Sequence, residues 1–236
     1  MRHWFKTIRN WCLDLLFPLA CLSCGRAGFW LCPACQSKLP ILPERCPFCL
    51  MPSNHSLTCS ACQSKRQLNG LFSVTEYASP LAQNLIHGLK YKYWSDLAPT
   101  LAEVVDGRLR TSIDWFEANN SNTVLVPIPL HRTRHKQRGF NQAERLAQAL
   151  SELWAIPCLD ALIRLKKTKA QARLADAQRN DNVRNAFGLK TGIDISAKSV
   201  IIVDDVFTIG ATLESAAAVC RSAGCQTVWG LVFARS

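Results

Sequence analysis

Eight of the twelve cysteines stand in four Cys-x-x-Cys pairs: Cys21/Cys24, Cys32/Cys35, Cys46/Cys49 and Cys59/Cys62, with 7, 10 and 9 residues between them. A two-residue spacer lets both thiolates of a pair turn onto one ion, and two pairs complete a tetrahedral four-thiolate site. Eight thiolates therefore suit two structural zinc ions, in closed sites that leave no position for a catalytic water. Disulfides or redox pairs are the alternative. They are disfavoured because Asp14 interrupts the only run resembling a secretory signal, which points to a reducing compartment. Sequential pairing is the simplest arrangement and a cross-braced one the alternative. His55 is surplus to eight thiolates and is expected at the surface.

The second chemical signal is Val200 to Leu213, where a buried apolar strand runs into Asp204 and Asp205 and then into Thr208-Ile209-Gly210-Ala211-Thr212. The start of the helix that follows offers free N–H groups and a positive dipole end, and glycine allows close backbone approach, so the turn can cradle a phosphate. Paired acids suit the hydroxyl groups of a sugar, or a water-mediated magnesium ion. A phosphate beside a diol is a ribose 5-phosphate. An Asp-capped strand-to-helix turn would account for one acid but not for the whole pattern.

A third stretch, Val126-Pro127-Ile128-Pro129-Leu130, leads into Arg132, Arg134, Lys136 and Arg138 and then Gly139-Phe140-Asn141-Gln142. Cations on a short loop from Ile128 to Arg138 can make charge-assisted bonds to an anion; a solvated basic loop is the plain alternative. Asn141 is placed to cap the next helix. In Leu85-Ile86-His87-Gly88-Leu89-Lys90-Tyr91, His87 reads as structural, while Lys90 could reach the mouth of a site.

Residues 200–213 resemble the phosphoribosyl pyrophosphate (PRPP) motif of type I phosphoribosyltransferases, with Ile209 where many members carry Thr. With the Cys pairs, the 85–91 and 126–142 stretches and the basic segment of Arg164, Thr168, Gln171, Arg179, Asn182 and Phe187, the chain from about residue 20 to 236 resembles the ComF family, the competence proteins related to ComFC and GntX. The resemblance implies a double zinc ribbon followed by a phosphoribosyltransferase domain. It implies PRPP bound with magnesium, with Asp204 and Asp205 on the ribose, 208–212 on the 5-phosphate and Arg132, Arg134, Lys136 and Arg138 on pyrophosphate. Segment 166–185 falls where these transferases keep a mobile loop, so Lys167, Gln171 and Arg179 would close over the substrate; a disordered basic linker is the equal alternative. The implied role is in natural transformation, on single-stranded DNA arriving in the cytoplasm, with other competence proteins such as a helicase or DNA-processing proteins as partners. Catalysis is not implied by the residues alone. A non-catalytic adaptor for single-stranded DNA with PRPP as regulator, and a salvage transferase unrelated to DNA, are the alternatives.

These residues need a scaffold to hold them. Strands are expected at Leu71–Tyr77, Thr123–Ile128, Leu162–Leu165, Val200–Val203 and Thr227–Phe233, and helices at Pro80–Lys92, Leu97–Phe116, Asn141–Leu153 and Ala211–Ala223. Their alternation predicts an α/β fold, a Rossmann-like parallel sheet with helices on both faces. Residues 20–69 have too little apolar content to fold without a metal staple, so the expected division is a helix over 1–19, a zinc module over 20–69 and the α/β domain over 70–236. The 1–19 helix carries Trp4 and Trp11 on its apolar face and Arg2, Lys6 and Arg9 elsewhere. It suits packing on its own domain, or peripheral contact with an inner-membrane surface. With 48% hydrophobic residues the chain is not disordered, and no run reaches the ~18 apolar residues of a membrane span, so a cytoplasmic protein is expected. The 28 Lys+Arg against 17 Asp+Glu give a net charge of +11, which with seven Trp and ten Phe permits binding of a single-stranded nucleic acid.

Overall fold

Apolar runs in which every residue is buried form strands covered on both faces, and the central strand carries five consecutive buried residues from Ser199 to Val203. In the computed structural model, which describes residues 19–91, 97–166 and 185–236, β1 (Gly70–Glu76), β2 (Thr123–Pro127), β5 (Ser199–Phe207) and β6 (Thr227–Arg235) build one sheet in the order β1-β6-β5-β2. All three pairings are parallel. The helices α3 (Pro80–Tyr91), α4 (Leu97–Asn119) and α6 (Gln142–Trp154) cover one face, where Leu85, Leu101 and Leu146 pack with Phe72, Ile201 and Leu231. On the other face α7 (Ala211–Ser222) and the antiparallel pair β3 (Leu162–Arg164) and β4 (Phe187–Leu189) pack with Leu71, Val200 and Val228.

Three expectations change. The stretch after β2 is not an open loop: Arg132–Arg138 forms a helix, α5, capped by His131, whose side chain accepts from the Thr133 N–H, and ended by Gly139 at φ 78°. Strand β5 does not stop at Val203 but runs through both aspartates to Phe207, because β6 continues alongside it to Arg235. β4 had no counterpart among the expected strands; at three residues it is too short to show a period. The helix expected over residues 1–19 lies, but for Leu19, outside the described residues. Among those described, no helix is long and apolar enough to cross a membrane.

The cysteine-rich segment docks onto the sheet domain. Its short helices are α1 (Pro33–Gln36) and α2 (Ser60–Gln63). Leu31, Cys32, Cys35 and Leu39 are buried in the same cluster as Phe72 and Trp229. Arg108 of α4 donates to the carbonyls of Gln36, Leu39 and Pro40. His55 is not a surface side chain: its ring stacks on Trp115, 4.0 Å between centroids.

Candidate metal centres and ligand crevice

The thiols gather into two groups, Cys21/Cys24/Cys32/Cys35 and Cys46/Cys49/Cys59/Cys62, with the sulfurs of each within 4.8 Å of one another. The pairs therefore join in sequence, and the cross-braced alternative is excluded. Tetrahedral zinc with bonds of about 2.3 Å requires sulfurs about 3.8 Å apart; Cys24 and Cys32 are 3.7 Å apart, and Cys49 and Cys59 3.5 Å. The thiols fit the ion. Burial pushes Cys21 and Cys46 up, but backbone N–H donors, from Cys32 and Cys24 for one and Cys49 and Cys59 for the other, outweigh it and bring both to about 6. Cys21 and Cys46 are so held ready as thiolates. Cys35, despite a hydrogen bond from Ser23, and Cys62 are pushed up by burial and their cysteine neighbours, to about 11 and about 12, so binding of a metal there must displace protons. The two centres are copies of one unit: Cys32–Lys38 and Cys59–Lys65 differ only at their second residue, a repeat missed in the sequence.

The second site lies at the carboxyl ends of β2 and β5. Pairing between these strands ends at Pro127 and Val203, with one more bond from the Ile128 N–H to the Val203 carbonyl. The chain leaves β2 for α6 on one face and leaves β5 for α7 on the other. Such a divergence opens a crevice, the place where open α/β sheets bind ligands. Asp204 and Asp205 follow on β5, beyond the end of its pairing with β2.

Side chains alternate along a strand, and the two acids have different surroundings. Asp205 is buried; its Oδ2 is 2.9 Å from Lys90 Nζ and accepts from Gln142 Nε2 at 3.2 Å. Gln142 in turn accepts from the Arg138 guanidinium at 3.1 Å. Asp204 is half-buried and accepts from the Asp205 N–H. Burial first, and the Asp205 charge second, push its carboxyl up to about 7, with that N–H, Lys90 and Arg164 pulling the other way. Lys90, expected within reach of a site mouth, is paired with Asp205. Gln142 carried no assigned role in the sequence, since only the fold brings it to Asp205. His87 is exposed.

The turn after β5 positions Thr208 and Ile209, both half-buried, before Gly210, the N-cap of α7 at φ 83°. Gly210 has no side chain to occupy the first N–H groups of α7, which begins with buried Ala211 and half-buried Thr212. Asn141 caps α6 as expected, accepting from the Ala143 N–H, and its amide donates to the Ile128 carbonyl. Of the four α5 cations, Arg134 and Arg138, one turn apart, are half-buried, whereas Arg132 and Lys136 are exposed. Arg164 of β3 stacks over Phe187, 5.2 Å from its centroid, and is close enough to feel the charges of both Arg134 and Asp204. Lys90 and Arg164 thus border the aspartates, with Arg138 reaching Asp205 through Gln142 and Arg134 beside Arg164. Lys167, Gln171 and Arg179 lie outside the described residues.

Relatives from several bacteria match most of the chain. DNA utilization protein YhgH of Escherichia coli K12 is 33% identical over 222 residues, covering 89% of this chain and 90% of that protein. Competence protein F of Haemophilus influenzae is 30% identical over 219 residues, 89% of each, and competence protein ComFC of Bacillus subtilis 30% over 203 residues, 79% of this chain and 76% of that one. The chain belongs to the ComF family. The double zinc ribbon domain family matches residues 12–63, in keeping with the two four-cysteine centres of this ComF protein. Among solved structures, glutamine PRPP amidotransferase from B. subtilis, complexed with ADP and GMP, aligns with a TM-score of 0.35 at 19% identity, covering 62% of this chain and 26% of that one. That likeness is too slight to bear on function.

Proposed function

We propose that this ComF protein binds PRPP in the crevice between β2 and β5 and acts on single-stranded DNA taken up in natural transformation. The reading is carried by one observation: the crevice joins a carboxylate, a glycine-capped helix start and an arc of cations at the point where α6 and α7 diverge to opposite faces. The 5-phosphate would sit on the N–H groups of residues 209–212. Asp204 would accept from the ribose hydroxyls, while Asp205, held by Lys90 and Gln142, orients the strand end. Arg134, Arg138 and Arg164 would meet the pyrophosphate. Magnesium carried with PRPP would neutralise part of the pyrophosphate charge. The same arrangement would favour pyrophosphate as a leaving group, so phosphoribosyl transfer is the reaction class it supports. The role in DNA uptake rests on family membership alone, since relatives carry the names competence protein and DNA utilization protein.

Calorimetry of PRPP with and without magnesium tests binding, and pyrophosphate release in the presence of nucleobases or single-stranded DNA tests turnover. Binding that is lost in Asp204→Asn is expected; equal affinity in that variant makes the 204–212 stretch a plain structural turn. A second reading, an adaptor in which PRPP only regulates DNA binding, is favoured by the outward position of Arg132 and Lys136. Under it PRPP binds and no pyrophosphate is released.

A further inference from the structure

The two four-cysteine centres differ in the knuckle between their first two ligands. The first has Leu22-Ser23, with Ser23 exposed; the second has Pro47-Phe48, with Phe48 packed into the core cluster around α7. Phe48 meets Phe207, the last residue of β5, edge to face at 6.2 Å between centroids. The Arg66 guanidinium lies 4.3 Å over the Phe48 ring. Arg235 lies 5.8 Å from the Phe207 centroid and donates to the Pro47 carbonyl at 3.2 Å. From the other side, Glu214 in the first turn of α7 accepts from the Gln67 and Leu68 N–H groups, the segment that leaves the second centre. The space behind the turn is filled: a Cβ on Gly210 would lie 2.7 Å from the Phe207 ring and 3.4 Å from Phe48. Buried residues of the first centre, by contrast, pack on the opposite face of the sheet.

We propose that Phe48 is a positioning residue for the turn at Thr208–Gly210, so that affinity for a phosphoester depends on the second zinc centre and not on the first. The inference rests on the reading of that turn as the 5-phosphate site. Zinc at Cys46/Cys49/Cys59/Cys62 fixes the knuckle, the knuckle fixes Phe48, and Phe48 with Phe207 backs a turn that has no regular hydrogen-bond ladder of its own. Freeing even one residue of that turn costs about what a tenfold loss of affinity represents.

The test uses full-length, zinc-loaded wild type, Phe48→Ala, Phe48→Tyr and Arg108→Ala. Zinc is counted by native mass spectrometry, PRPP affinity is measured by calorimetry with magnesium, and amide hydrogen exchange is followed over residues 207–214. Phe48→Ala is expected to keep two zinc ions, bind PRPP about tenfold more weakly and exchange faster over the turn. Phe48→Tyr, which keeps the ring edge, should restore both. Arg108→Ala, which cuts a tether of the first centre, should lower the melting temperature and leave affinity and exchange unchanged. Unchanged exchange and affinity in Phe48→Ala overturn the proposal. If wild type binds no PRPP, the phosphate-site reading falls and exchange alone decides whether Phe48 holds the turn. Should Phe48→Ala lose its second zinc, Phe48→Leu, with bulk but no ring, is measured instead, and slow exchange there overturns the proposal.

Discussion

Because side chains alternate along β5, Asp204 and Asp205 end up with unequal surroundings: one is committed to Lys90 and Gln142, the other borders the crevice. Burial and the adjacent Asp205 both disfavour the charge of Asp204 and push its carboxyl up to about 7. An acid whose folded pKa is raised binds more protons in the native state than in the unfolded chain between about pH 4 and 7. Stability therefore falls as pH rises through that window. Asp204→Asn removes the penalty, so its melting temperature should exceed wild type at pH 8 and match it near pH 4, with PRPP binding lost. Differential scanning calorimetry across pH checks the sign, and a variant that melts below wild type at pH 8 would refute the burial argument.

At the scale of elements, the turn at 208–210 depends on a left-handed glycine. A Cβ at Gly210 costs about 1–2 kcal/mol for the backbone conformation alone and would also strike the Phe207 ring at 2.7 Å. Gly210→Ala should therefore lower stability by at least that much in urea titration and weaken PRPP binding; an unchanged midpoint would mean that the turn tolerates a side chain. Much of the element order was legible, because α4, α6 and α7 carry apolar residues at helical spacing and β1, β2, β5 and β6 are nearly continuous apolar runs. Helix α5 was not, since every residue of Arg132–Arg138 is polar and the helix owes its ends to His131 and Gly139. The end of β5 was misjudged because charged residues break an apolar pattern even where a neighbouring strand still pairs with them. Of the site, the cysteines and the 204–212 stretch were legible from local spacing. Gln142 and Phe48 were not, because their roles depend on contacts with residues far along the chain.

At the scale of the molecule, residues 20–69 and the sheet domain share one core. A zinc module that folded on metal alone would leave residues 71–236 untouched when stripped. Cys32, Cys35, Leu31 and Leu39 instead fill the same cluster as Phe72 and Trp229. Removal of both zinc ions by a chelator should lower the melting temperature of the whole chain in a single transition, as seen by circular dichroism; two separate transitions would refute the shared core. The surface charge makes its own prediction. Arg132 and Lys136 are exposed on α5, while Arg134 and Arg138 are half-buried, Arg138 against Gln142 and Arg134 beside Arg164. If single-stranded DNA binds along α5, Arg132→Ala and Lys136→Ala should each flatten the salt dependence of its affinity by a log–log slope of about 0.7 and leave PRPP affinity unchanged. Fluorescence anisotropy over a salt series reads the slope, and an unaltered slope would exclude α5 as the track.

The pairing of β1 with β6 carries a consequence for synthesis. Gly70 lies against Trp229 and Glu76 against Arg235, so the first strand of the sheet has no neighbour until nearly the whole domain has been translated. Contacts that distant in sequence form slowly. The cysteine centres need only residues 21–62, and metal can close them while the rest is still on the ribosome. Nascent chains would then acquire their zinc before their sheet, and the loaded module, whose Leu31 and Leu39 share a cluster with Phe72, would cover one apolar face of β1 while its pairing edge still waits for β6. A shortage of zinc during translation should show itself as aggregation of new chains, while protein already folded stays in solution.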